Sequence, residues 1–252
     1  MPKSNNNSSL FNKKRTYSLL LVALGDSTPT GYGLSSKQDF YVHVYANYIE
    51  QDLNTVVKVH NWATNNLRTV SEWVKEVQTN EKFRKDFLHA NIITLWLGWH
   101  NVIPTLIKDR NTSGLILIKE PDLQQLHTVT SPMQGAFDDL VAEISSLSSP
   151  TDTLILIADI GIPSLFVSKW KAFGTFNSWY QHAYKVWREF IIQAAKKYNI
   201  HVVPTHEVIN GKNGDQVLPA KYMQSDGIHF NEDGHKLIAN AYRKIGYQLS
   251  EQ

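Results

Sequence analysis

Three side chains stand out by type and spacing: Ser27, Asp226 and His229. Ser27 lies in ALGDSTPTGYG (23–33), directly after the apolar run YSLLLV (17–22), so a strand-like segment carries a hydroxyl at its end. Asp226 and His229 lie in SDGIHFNEDGH (225–235), on a Gly-containing turn before an amphipathic stretch. A three-residue separation within a turn can set the carboxylate against the imidazole, fixing its tautomer and stabilising its protonated form. A hydroxyl is a poor nucleophile until such a base stands beside it. The chemistry these types can do together is acyl transfer. Taken alone, the Asp226–His229 pair also reads as a turn that caps the last helix.

That chemistry requires elements that bring residue 27 and residues 226–229 to one place. The runs YSLLLVAL (17–24), TVVKVHNW (55–62), NIITLWLG (91–98), DTLILIADIG (152–161) and IHVVP (200–204) read as strands. Between them, 39–53, 68–79 with 81–89, 132–148, 179–199 and 231–249 carry helical spacing. Strands alternating with helices predict an α/β protein with a parallel sheet covered on both faces. The nearly continuous apolar character of the strands fits burial on both sides. Two stretches, 104–131 and 160–178, break the rhythm and are expected as long loops. In such sheets ligands bind at the carboxyl ends of the strands. Those ends offer Gly25-Asp26-Ser27, HNWATNNLRT (60–69), GWHN (98–101), DIGIP (159–163) and, after the fifth strand, SDGIHF (225–230).

Gly25-Asp26-Ser27 behind the first strand, with Asp226-Gly227-Ile228-His229 near the end, resembles the GDSL or SGNH hydrolases, over roughly 17–249. The resemblance implies a three-layer α/β/α sandwich with a flavodoxin-like five-stranded parallel sheet. It implies esterase or lipase activity with Ser27 as nucleophile, His229 as base and Asp226 as its partner, and no metal or organic cofactor. The two middle blocks depart from the family pattern. Where the family has Asn-x-x-x-x-Gly, this chain has Asn61 and Asn66; where it has Gly-x-Asn-Asp, this chain has His100 and Asn101. The resemblance therefore implies an oxyanion site built from the Ser27 and Asn66 backbone N–H groups with His100 or Asn101. Trp99 is expected to line the same pocket, and the aromatic-rich 165–178 to form an apolar wall or lid.

Two other readings compete. TPTGYG (28–33) resembles the phosphate loop of flavodoxins, which would make the chain a phosphate- or FMN-binding module. It leaves Asp226 and His229 without a task. The altered third block instead favours a catalytically weak relative that binds an acylated or glycosylated ligand. His201, His206 and Glu207 match no familiar metal spacing.

Composition narrows the classes further. The chain has no cysteine, which excludes disulfides, thiolate nucleophiles and Cys-ligated zinc. The first 15 residues hold four basic and no acidic side chains, whereas the rest hold 21 basic and 23 acidic ones. The body thus has no basic excess for nucleic acid. Residues 1–16 read as a disordered polar and basic tail, and 17–252 as one domain. The basic-then-apolar N-terminus imitates a signal peptide, but that reading would remove the strand that delivers Ser27, so a cytoplasmic protein is expected. No apolar run reaches the ~20 residues that span a bilayer. The expected partner is a small-molecule, lipid or carbohydrate ester.

Overall fold

The computed structural model describes residues 18–110, 116–149 and 151–248. The proposed tail at 1–16 lies outside the described residues. A central sheet is built from β1 (Ser18–Gly25), β2 (Val56–Asn61), β3 (Ile92–Trp96), β6 (Leu154–Ala158) and β7 (His201–Val203). All neighbours pair in parallel, in the order β2-β1-β3-β6-β7. β3 and β6 are buried at every residue, and β1 over most of its length. Edge strand β2 alternates in exposure over its first half. That difference explains why the central strands read as continuous apolar runs while TVVKVHNW alternates.

Right-handed crossovers decide where the helices go. The step from β1 through α1 (Tyr41–Leu53) to β2 moves one way along the sheet. The step through α2 (Val70–Thr79) and α3 (Glu81–His89) to β3 moves back across β1. These helices therefore cover opposite faces. α11 (Glu232–Ile245) packs with α1 and with the short α10 (Thr205–Asn210), while α6 (Met133–Leu147) packs with α2 and with α9 (Lys185–Lys197). The result is the expected three-layer sandwich. The reversal leaves a switch point between the carboxyl ends of β1 and β3, where the diverging connections open a crevice. Ser27 follows one of those strands and His100 the other.

The two expected long loops are largely ordered elements. Residues 104–131 contain the end of α4 (Trp99–Leu106), an antiparallel pair β4 (Ile107–Arg110) and β5 (Ile116–Ile118), and α5 (Leu123–Thr130). Residues 160–178 contain α7 (Ser164–Phe173) and most of α8 (Phe176–Trp179), and a π-helical turn at Tyr180–Tyr184 leads into α9. α7 buries Phe166, Val167 and Trp170 and leaves Leu165 half-buried. These buried residues share one face of α7, with Ser168, Lys169 and Lys171 exposed on the other. The closing helix stops at Ile245, four residues before its expected end, with Gly246 at φ 84°.

Candidate active site

β1 ends by pairing Gly25 with Trp96 of β3. A side chain at position 25 has no room: a Cβ there would lie 2.5 Å from the Trp96 carbonyl oxygen and 2.6 Å from Pro29. Glycine is what lets β1 and β3 approach closely just before the serine. The following loop then folds back on itself. Tyr32 N–H and the Thr30 hydroxyl both donate to the Ser27 carbonyl, at 3.2 and 2.7 Å, and Gly31 N–H donates to the Thr28 carbonyl. The Thr30 hydroxyl also lies within hydrogen-bond distance of Asn65 Oδ1, and the Asn61 amide donates to the Pro29 carbonyl. The loop that resembles a phosphate cradle thus spends N–H groups internally to hold a half-buried Ser27 in place.

The Asp226–His229 turn meets this loop from the far end of the chain. His229 Nε2 lies 3.1 Å from Ser27 Oγ, and His229 Nδ1 lies 2.6 Å from Asp226 Oδ2. The second carboxylate oxygen of Asp226 accepts the Ile228 and His229 N–H groups, both at 2.9 Å. One aspartate therefore shapes the turn and holds the ring. Burial works against its charge, but the bonds from the His229 ring and from the two backbone N–H groups bring its pKa below the ordinary carboxylate value. It is a carboxylate at neutral pH, able to fix the Nδ1–H tautomer and leave the Nε2 lone pair facing Ser27. The turn is braced by α7, whose Leu165 N–H donates to the Gly227 carbonyl at 2.9 Å.

Asp26 behaves in the opposite way. It is 3% exposed; one oxygen accepts Thr28 N–H at 3.2 Å and the other has no partner among the described residues. Desolvation pushes its pKa up to about 7, with the Thr28 bond working against the rise.

The middle blocks face elsewhere. The Asn66 N–H donates to Thr64 Oγ1 at 3.2 Å, and Asn66 is exposed. The Asn101 carboxamide oxygen accepts the Val70 N–H at 3.0 Å, which anchors the start of α2. His100 is 6% exposed. Desolvation lowers its pKa to about 4, against a hydrogen bond to the Arg68 backbone that favours the charged form; nearby His229 lowers it further. His100 is thus neutral at pH 7 and has one N–H. Its Nδ1 is buried without a partner among the described residues. The Asn101 oxygen holds the β2–α2 loop, while its amide nitrogen makes no hydrogen bond among the described residues.

Trp99, expected to line the same pocket, is 7% exposed. Its Nε1–H donates to the Gly161 carbonyl at 3.1 Å, and its ring stacks on Phe166 at 5.5 Å, beside Trp179, Tyr184 and Trp187. It ties the start of α4 to the β6–α7 turn. The expected wall at 165–178 touches the site through Leu165, while Phe166, Trp170 and Phe176 pack inward and Phe173 is exposed.

Two residues that sequence reasoning missed flank the pair. The Tyr32 ring lies over the His229 ring, with centroids 4.3 Å apart. The Gln224 side chain bridges the Ser27 loop and the His229 segment. The only sequence signal for Tyr32 is its place five residues after the serine, in a Gly-Tyr-Gly run; Gln224 gives none.

Comparison with known proteins agrees with this geometry. Residues 23–237 match the model of the GDSL-like lipase/acylhydrolase family. The chain belongs to that family. It is 22% identical over 231 residues to a spore germination lipase, LipC, of Bacillus licheniformis, covering 91% of this chain and 97% of that protein. Among solved structures, a lipase from a goat rumen metagenome matches with a TM-score of 0.72 and 20% identity, over 93% of this chain and all of that one. A variant of an acetyl xylan esterase of Geobacillus stearothermophilus matches with a TM-score of 0.61 and 16% identity, over 94% of this chain and all of that one. The family membership makes this chain a GDSL-type acylhydrolase, and the two structures share its fold.

Proposed function

We propose that this acylhydrolase cleaves carboxylic esters by covalent catalysis at Ser27, within one domain spanning 17–252. The observation that carries the reading is the unbroken line Ser27 Oγ, His229 Nε2, His229 Nδ1, Asp226 Oδ2, with gaps of 3.1 and 2.6 Å. His229 takes the Ser27 proton as Oγ attacks the ester carbonyl. Asp226 remains ionised and offsets the charge on the imidazolium. The imidazolium then gives its proton to the departing alkoxide, leaving an acyl group on Ser27. A water molecule deprotonated by His229 releases the acid and restores the serine.

The Ser27 N–H is the first oxyanion donor in this reading. Asn66 N–H joins it only if its bond to Thr64 opens as substrate enters. A missing donor costs ~10²–10³ in turnover, so activity on simple esters is expected but modest. The altered middle blocks, His100 and Asn101 where the family has Asn and Asp, favour a second reading, a family member that binds an acylated ligand and turns it over weakly. Steady-state hydrolysis of p-nitrophenyl acetate and longer p-nitrophenyl esters separates the two. Wild-type turnover that disappears in Ser27→Ala supports the enzyme; no turnover by a folded wild type, with saturable binding of the ester, supports the binder.

A further inference from the structure

We propose that Tyr32 and Gln224 form a strap that keeps the His229 imidazole in line with Ser27, which makes both of them positioning residues of the reaction. The inference rests on the triad reading above.

Asp226 holds the ring at one atom, Nδ1. A single hydrogen bond leaves the ring free to swing about that contact, and a swing of about 1 Å at Nε2 is enough to impair proton transfer. What limits the swing is the face contact with Tyr32. The two rings are tilted by 33° with centroids 4.3 Å apart. Tyr32 is 36% exposed, whereas the His229 side chain is 13% exposed, so the tyrosine lies on the solvent side of the histidine. An aromatic face at this range also attracts the imidazolium that forms during attack.

Tyr32 is itself held at both ends. Its N–H donates to the Ser27 carbonyl at 3.2 Å. Its carbonyl accepts the Gln224 side-chain N–H at 2.5 Å, and the same amide nitrogen donates to the Phe230 carbonyl at 2.9 Å. The Gln224 main-chain N–H donates to the His229 carbonyl at 2.8 Å. One residue thus grips the histidine segment twice and the serine loop once, across 192 positions of sequence. Position 33 makes room for it: Gly33 sits at φ 80°, and a Cβ there would run into the Gln224 amide oxygen. The carboxamide suits the task because its two N–H groups meet two carbonyl oxygens. A glutamate would turn both contacts into repulsions.

The test is steady-state hydrolysis of one p-nitrophenyl ester by wild type, Tyr32→Phe, Tyr32→Leu and Gln224→Glu, with thermal melts on each. Tyr32→Phe keeps the ring face and should stay within about twofold of wild type, whereas Tyr32→Leu should lower kcat by about five- to thirtyfold with KM nearly unchanged. Gln224→Glu should lower kcat in the same sense; if it does not fold, the two Tyr32 variants decide alone. The proposal is overturned if Tyr32→Leu keeps wild-type kcat, if it changes KM alone, or if Tyr32→Phe loses as much kcat as Tyr32→Leu. Mass mapping of wild type treated with a fluorophosphonate separates this from failure of the triad itself. An adduct on Ser27 with normal kcat in Tyr32→Leu sinks only the strap, and no adduct on Ser27 sinks the triad.

Discussion

The two sides of the site differ in where their polar groups point. On the proton-transfer side, Ser27, His229 and Asp226 point at one another over 3.1 and 2.6 Å. On the expected oxyanion side, Asn66 N–H donates to Thr64, the Asn101 oxygen accepts from Val70, and His100 Nδ1 is buried without a partner among the described residues. Family block order brings both sets to the same sheet edge, yet only one is aimed at a reacting atom. Proton transfer and charge stabilisation are therefore separable in this fold. Here the outer blocks present an aligned Ser27–His229–Asp226 line, and in the middle blocks the Asn101 oxygen fastens the β2–α2 loop.

The largest expected effect breaks the first side. His229→Ala should lower kcat on a p-nitrophenyl ester by roughly 10⁵–10⁶, since His229 is the base that contacts the serine hydroxyl. Asp226→Asn should cost less, roughly 10⁴. Its amide oxygen can still accept the Ile228 and His229 N–H groups, but its NH₂ group meets Nδ1 and favours the wrong tautomer. Equal losses in the two folded variants would contradict this ranking.

The second side is sharpened by adding what it lacks. His100→Asn puts a neutral carboxamide N–H in place of the imidazole and should raise kcat by about tenfold, with ~10²–10³ as the ceiling for one donor. His100→Ala should lower kcat by no more than about tenfold, because it removes a loop anchor and not an aimed donor. A hundredfold loss in His100→Ala with an unchanged melting temperature would return His100 to the oxyanion hole.

The smallest effect concerns Asp26, on the proton-transfer side but without a full set of partners. Its folded pKa is raised by burial to about 7, above the ordinary 3.8. The folded state therefore binds more protons than the unfolded one between those values, and stability falls as pH rises through that window. Asp26→Asn keeps an acceptor for Thr28 and removes the buried charge. It should be more stable than wild type at pH 8, by about 1–3 kcal/mol, and little different at pH 4.5. Urea unfolding at the two pH values measures this; a gain that is equal at both would deny the buried ionisation.

Much of the fold was legible because the cause is local. A strand buried on both faces must be apolar throughout, so β1, β3 and β6 announced themselves. α7 did not: it is a 10-residue helix between Pro163 and Gly174, and its amphipathic pattern is masked in the sequence by the aromatics that follow it. The site divides on the same principle. Ser27 could be read from the strand that precedes it, and Asp226 with His229 from the turn that joins them. The fates of His100, Asn101 and Asn66 depend on which N–H or lone pair another segment has already taken. The Gln224 bridge to Tyr32 likewise joins residues that no spacing rule connects.

Covalent labelling reports on the Ser27 nucleophile without any choice of ester. Wild-type protein treated with a fluorophosphonate should gain one phosphonyl group, mapped by peptide mass to Ser27, and Ser27→Ala should gain none under the same conditions. His229→Ala should label far more slowly, because the hydroxyl then lacks its base. An adduct on any other serine, or a folded wild-type protein that takes up no label, would contradict the assignment of Ser27 as the nucleophile.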